Sequence, residues 1–163
     1  MVNLVDEGFD LALRASSSPG DNLIARPIAS VPFYLVGSPA YLDKSGRPQS
    51  IAELASHSML WYSLAAKEVE WSAFDSKVTE TVKFTPALQS TNESLLHLAA
   101  LQGMGIAALP KWLIEQDLEA GRLVRVLSER GWHQVAQHGV YSSRKCLSSK
   151  VRTFLDFVIE VDV

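Results

Sequence analysis

The sequence predicts an α/β architecture built on a largely parallel sheet. Three observations predict it. Short apolar runs alternate with segments of helical spacing along all 163 residues. Two S-x-x-E capping boxes, Ser50–Glu53 and Ser90–Glu93, open helical segments. Apolar residues make up 47% and charged residues 20% of the chain, a globular balance at a length that buries about 70% of the unfolded surface. One domain or two small lobes follow from the length.

The first strand is predicted where Phe9, Leu11 and Leu13 alternate with Asp10, Ala12 and Arg14, giving one apolar face. Residues 15–22 are small, polar or turn-forming and read as a loop. Leu23 to Val36 is a long apolar stretch interrupted by Pro27 and Pro32, so it reads as an edge strand or a strand that changes partners. It ends at Gly37-Ser38-Pro39. A short helix is predicted over Ile51 to Ser56, with strands near Met59–Tyr62 and Thr81–Phe84 in an otherwise mixed stretch, 57–89. The second capping box, with Ser90 at the N-cap, opens the clearest helix, Thr91 to Gln102, and Gly103 stops it. Gly105–Leu109 reads as a buried strand, Pro110 to Leu118 as a helix ended by Gly121, and Leu123–Leu127 and Val135–Tyr141 as strands. Ser148 or Ser149 caps a last helix with Val151, Phe154, Leu155 and Val158 on one face. No repeat or low-complexity tract occurs.

Composition and motifs exclude several functions. No apolar run approaches the ~18 residues of a membrane span, and Met1–Glu7 lacks a signal-peptide pattern. The net charge of −3 argues against nucleic-acid binding by this chain alone. A single cysteine, Cys146, excludes an internal disulfide and points to a reducing, cytoplasmic setting. Its neighbours Arg144 and Lys145 would favour the thiolate, but no resolving partner accompanies it. With Lys150 and Arg152 they form a small basic cluster that reads as a solvated face. Nucleophile-elbow, phosphate-loop and zinc-helix motifs are absent. Gly103-Met104-Gly105 follows a helix and precedes a strand, the reverse of the dinucleotide arrangement. His57, His97, His133 and His138 have no paired metal spacing, and the four tryptophans are too dispersed for a base-stacking platform. No catalytic residue, metal or cofactor is therefore expected. The start of the Thr91–Gln102 helix offers backbone N–H groups, the hydroxyls of Ser90 and Thr91 and the amide of Asn92 to a small anion. The same side chains serve equally as caps.

Several segments resemble one family in order. Gly8-Phe9-Asp10-Leu11-Ala12-Leu13-Arg14, Pro39-Ala40-Tyr41-Leu42 with Gly46-Arg47-Pro48, and Leu54-Ala55-Ser56-His57 come first. Gly103-Met104-Gly105-Ile106-Ala107-Ala108-Leu109-Pro110, Gly121-Arg122-Leu123-Val124 and Leu147 to Phe157 follow. Together they resemble the effector-binding domain of LysR-type transcriptional regulators. Each motif is weak by itself; their order over nearly the whole chain is specific.

The resemblance implies a periplasmic-binding-protein-like α/β domain of two lobes joined by crossing strands, near Ala29–Phe33 and His133–Gln137. Residues 1–30 and 136–163 would form a partial first lobe, and 31–135 a complete second lobe. It also implies that a winged helix-turn-helix, a linker helix and the opening elements of the first lobe are missing, so first-lobe pieces should expose apolar surface. DNA would be met only through that absent helix-turn-helix. The implied function is effector sensing and dimerisation without catalysis: a small anionic metabolite such as a carboxylate sits between lobes and shifts their angle. Ser30, Pro32 and Phe33 on the first crossing strand, Ser90, Thr91 and Asn92 at the helix start, and Gly103 and Gly105, whose backbone a ligand can approach, are the expected ligand-binding residues. Tight packing explains the two glycines equally well. The helix Thr91–Gln102, with Leu95, His97 and Leu98 as an exposed stripe, would form a dimer. The competing reading is a transporter's solute-binding protein with the same fold.

Overall fold

A computed structural model describes residues 8–15, 23–63, 65, 68–72, 79–128, 133–142 and 148–160. Residues 16–22 of the expected loop, Trp132 and the trio Arg144, Lys145 and Cys146 lie outside them, while Ala15, expected to open that loop, ends a strand instead. The chain forms two compact units, one drawn from Met1–Val31 and Gln134–Val163, the other from Pro32–His133.

The first unit holds β1 (Ala12–Ala15), the opening of β2 (Leu23–Gly37), β9 (His133–Ser142) and α4 (Ser149–Glu160). β9 pairs with β2 and, antiparallel, with β1, from Ala12↔Val140 to Ala15↔Gln137. Ser148 caps α4, its Oγ accepting from the Val151 amide at 3.4 Å. Val151 and Leu155 are buried as the helical spacing predicts. A Cβ on Gly139 would run into Leu155, so β9 keeps a glycine where α4 rests. Leu11 and Val158, on the expected apolar faces, are partly buried, and other apolar side chains stay open. Phe9, Leu13, Ile24, Phe154 and Phe157 are all exposed. β1 also starts only at Ala12, where its ladder with β9 begins.

The second unit centres on the strand order β2–β7–β3–β6, with β3 (Met59–Tyr62), β6 (Leu88–Ser90) and β7 (Ile106–Pro110), and β8 (Val124–Arg125) added to β2. β3 runs parallel to β6 and β7, while β2 runs antiparallel to β7 and β8. The sheet is thus mixed rather than largely parallel. Strand–helix alternation reports only the crossover from β6 through α2 (Glu93–Leu101) to β7. The β2–β7 pair joins residues over seventy positions apart, which no local pattern encodes. β2 does change partners, as its prolines predict.

The pleat sorts side chains between two cores. Leu60, Ala107, Leu109 and Val36 face α2 and α3 (Lys111–Glu119), packing on Leu96, Ala100 and Ile114. Met59, Trp61, Ile106 and Leu35 face the opposite layer. That layer comprises α1 (Pro39–Ser45), a 3-10 helix (Ala52–Ser56) and the antiparallel pair β4 (Glu68–Ser72) and β5 (Thr79–Lys83). Strands covered on both faces read as continuous apolar runs, which is why Met59–Tyr62 and Ile106–Leu109 stand out in the sequence. Trp61 and Phe84 meet edge to face at 4.9 Å. The Tyr41 hydroxyl ties α1 down: it accepts from the Ser58 amide at 2.9 Å and shares a hydrogen bond with His57 Nδ1 at 3.1 Å.

The first capping box does not form as expected: Ile51 rather than Ser50 is the N-cap and no side chain caps it, while the Glu53 carboxylate accepts from the Gln49 amide at 2.9 Å and the Ser50 hydroxyl at 3.1 Å. The segment is a five-residue 3-10 turn instead of an α-helix, ended by the i→i−3 bond from His57 N to Leu54 O. Among the described residues, no helix is long and apolar enough to cross a membrane.

Candidate functional site

The three parallel strands of the second unit end along one edge of its sheet. The register sets Tyr62 beside Ser90 and Leu60 beside Ala107, so β3, β6 and β7 finish together at Tyr62, Ser90 and Pro110. Phe33, near the start of the second unit's part of β2, is opposite Pro110. Four strands thus bring Pro32 and Phe33, Tyr62 and Ser63, Ser90 to Asn92, and Pro110 to one edge about 14 Å wide, three strand spacings. Ligands in open α/β sheets bind at the carboxyl ends of parallel strands, where helix N-termini converge. The edge is held by a 2.9 Å bond from the Ser63 amide to Ser90 O.

The second capping box does not form as read. Ser90 stays in β6 because it pairs with Tyr62, and Asn92 becomes the N-cap. Asn92 Oδ1 accepts from the Ser94 amide at 2.9 Å and the Leu95 amide at 3.4 Å, and Ser90 Oγ accepts from the Asn92 amide at 2.9 Å. These bonds occupy amides that the sequence reading offered to an anion. Among side chains, the donors left are the Ser90 and Thr91 hydroxyls and the Asn92 side-chain N–H groups. Thr91 is exposed and makes no hydrogen bond to another described residue.

The structure does not bring the two glycines to this edge. β7 separates them from it: Gly105 precedes Ile106, whereas Pro110 reaches the edge, roughly 16 Å further along. A Cβ on Gly105 would strike the Ser58 carbonyl. Gly103 has φ +75° as α2 ends, beside the buried Ser38 hydroxyl. Both serve packing and chain reversal. Ser30 lies on β2 within the first unit.

A second polar cluster escaped the sequence reading. Asp117 on α3 is only 6% exposed. Its Oδ2 accepts from His97 Nε2 of α2 at 2.6 Å, and its Oδ1 accepts from Arg122 Nε. Its backbone oxygen takes the amides of Arg122 and Leu123. Burial alone would raise the Asp117 carboxyl, but the hydrogen bonds and charges of Arg122 and His97 outweigh it and hold it below the usual carboxylate range. His97 therefore belongs to this tie, not to an exposed stripe. Leu95 and Leu98, 47% and 57% exposed, do form one on α2. Among the described residues, no group of three or more His, Cys, Asp or Glu could hold a metal ion.

The family model described as the LysR substrate binding domain matches residues 1–162. The chain belongs to this family. The HTH-type transcriptional regulator CrgA of Neisseria meningitidis (serogroup C, strain 8013) is 32% identical over 160 residues, 98% of this chain and 53% of CrgA. The solved CrgA regulatory domain is 31% identical with a TM-score of 0.74, over 97% of this chain and 77% of that one. The full-length Vibrio cholerae virulence activator AphB is 28% identical with a TM-score of 0.76, over 96% and 53%. The chain spans about half the length of the curated relatives it matches. These relatives are transcriptional regulators, a family that is not enzymatic, and they favour regulation over transport as the setting of this fold.

Proposed function

We propose that this chain senses the effector of a LysR-type regulator, and that a small carboxylate metabolite binds at the sheet edge formed by Phe33, Ser90, Thr91 and Asn92. The observation that supports it is the register that ends β3, β6 and β7 together beside the unused Thr91 hydroxyl and Asn92 N–H groups. Binding would favour one arrangement of the two units over another, and the regulator would read that population shift. Self-association through the Leu95 and Leu98 stripe of α2 would pair two such chains as a homodimer. DNA contact belongs, in this reading, to a helix-turn-helix outside residues 1–163, and the protein acts in the cytoplasm.

The test is calorimetry with aliphatic and aromatic acids on the wild type, Thr91→Ala and Asn92→Asp. The aspartate keeps an acceptor for the cap, so α2 stays formed while the amide donors are lost. Thr91→Ala should weaken binding about five- to thirtyfold, the scale of one lost hydrogen bond at ~1–2 kcal/mol, and Asn92→Asp by more, because it also sets a negative charge beside the carboxylate. Binding unaffected by both substitutions removes these residues from the site.

A further inference from the structure

Among the described strands, β1 pairs only with β9 and leaves its outer edge unmatched. Proline and bulges normally blunt such edges, and β1 has neither. The strand pattern of the sequence starts at Phe9, yet the ladder with β9 starts at Ala12. Asp10 and Leu11 are thus patterned for a strand but lie outside any described ladder. The apolar face beside this edge is open. Leu13 is opposite Gly139, and a Cβ on Gly139 would meet both Leu155 of α4 and Leu11, which sets Leu11 and Leu13 on the α4 side of the sheet. Arg26 on β2 holds Asp156 at 2.8 Å, so that flank of α4 lies toward β2. Residues 154 and 156 project about 200° apart around a helix, which turns Phe154 to the other flank, over β1. Leu13 and Phe154 are 53% and 45% exposed, an apolar step along an open strand edge.

The segment Asp10-Leu11-Ala12-Leu13-Arg14 is its own antiparallel complement. Set against a second copy about a two-fold axis through Ala12, it puts Leu11 beside the copy's Leu13 and Asp10 beside the copy's Arg14. Every cross-strand pair is then favourable, apolar on the α4 face and of opposite charge on the other. A parallel pairing in register would set like charges together instead. Asp10 and Arg14 each already make an interaction within the chain, so their pairing fixes register more than it adds affinity. We propose that β1 is a docking edge for a second copy of this chain, joined antiparallel through Asp10–Arg14. The axis stands perpendicular to the sheet, so both α4 helices stay on one face, and Leu13 and Phe154 of each copy are covered at the joint. The contact is isologous, which closes a pair instead of growing a sheet. Its ladder is short, so the pair forms and parts readily. It belongs to the first unit, is separate from the α2 stripe and does not depend on the effector reading.

Sedimentation of the full chain over a range of concentrations tests this, in a parent carrying Leu95→Gln and Leu98→Gln so that association through α2 is removed. The parent should still associate. Asp10→Lys and Arg14→Glu, each added to it singly, should weaken self-association at least about tenfold, because each sets like charges in both end pairs. Mixed with each other, the two proteins should pair to within about threefold of the parent, since every end pair then joins opposite charges. Leu13→Gln, at an exposed position, should weaken association with the charges intact. A parent that stays monomeric at every concentration overturns the proposal and leaves the edge to another partner. So does association that neither charge variant changes. Loss in both charge variants without recovery in the mixture overturns it as well. Thermal melts check that both variants fold; should either not, Leu13→Gln decides, and unchanged association there overturns the proposal.

Discussion

Asp117 joins two helices through one carboxylate, and its removal should be felt in both. Replacing it with Asn leaves His97 and Arg122 facing a neutral amide in a buried position, at a cost of about 1–3 kcal/mol of unfolding free energy, read by denaturant titration. Its carboxyl titrates below the ordinary 3.8 when folded. The stability it contributes is therefore fully present above that ordinary value and is lost as pH falls through the lower folded one. The wild type should lose stability on that acid limb, and Asp117→Asn should lose less of it; identical acid limbs would contradict the assignment. The two glycines of the Gly103–Gly105 motif should respond unequally. Gly105→Ala drives a methyl group into the Ser58 carbonyl and should disrupt the β3–β7 junction, whereas Gly103→Ala meets only ordinary contacts and loses about 1 kcal/mol to its positive φ. Equal thermal shifts for the two variants would count against these roles. Neither role is legible in the sequence, where a glycine for close ligand approach and one for packing look alike. The partner of Gly105 is Ser58, nearly fifty residues away.

Among the elements, α2 carries two faces with different tasks. Leu96, Ala99 and Ala100 are buried, while Leu95 and Leu98 are exposed. Leu95→Gln with Leu98→Gln should leave the stability of the second unit within about 0.5 kcal/mol per site and shift the chain toward monomer in sedimentation. Unchanged association would remove this stripe from the dimer. The existence of α2 is readable from the spacing of its leucines and from Gly103, but its first residue is not. Ser90, Thr91 and Asn92 are all good caps; pairing of Ser90 with Tyr62 selects Asn92, and that is a tertiary decision. The same holds for β6, three residues long, and for β4, which stay hidden in a stretch without clear periodicity. The strands Met59–Tyr62 and Ile106–Pro110 are legible because apolar cover on both faces writes an uninterrupted apolar run. As a result, the strand edge of the candidate site is partly readable, through Phe33 and Ser90–Asn92, while Tyr62 and Pro110 emerge only from register.

Across the molecule, the two units differ in how much core they hold. The second buries two clusters on opposite faces of its sheet, whereas the first, among its described residues, buries Val31, Val140, Val151 and Leu155 and leaves Phe154 and Phe157 exposed. Amides of β1 should exchange faster than those of β7; equal protection of the two strands would count against this difference in core. The proposed function depends on effector sensing being seated where β3, β6 and β7 end. Amide shift mapping, with whichever small acid stabilises the chain, decides that point. The largest shifts should fall together at Phe33, Tyr62, Ser63 and Ser90–Glu93, with Gly103 and Gly105 unmoved. Shifts centred on Gly103–Gly105, at the opposite edge of the sheet, would place the effector elsewhere and refute the seat assigned to it.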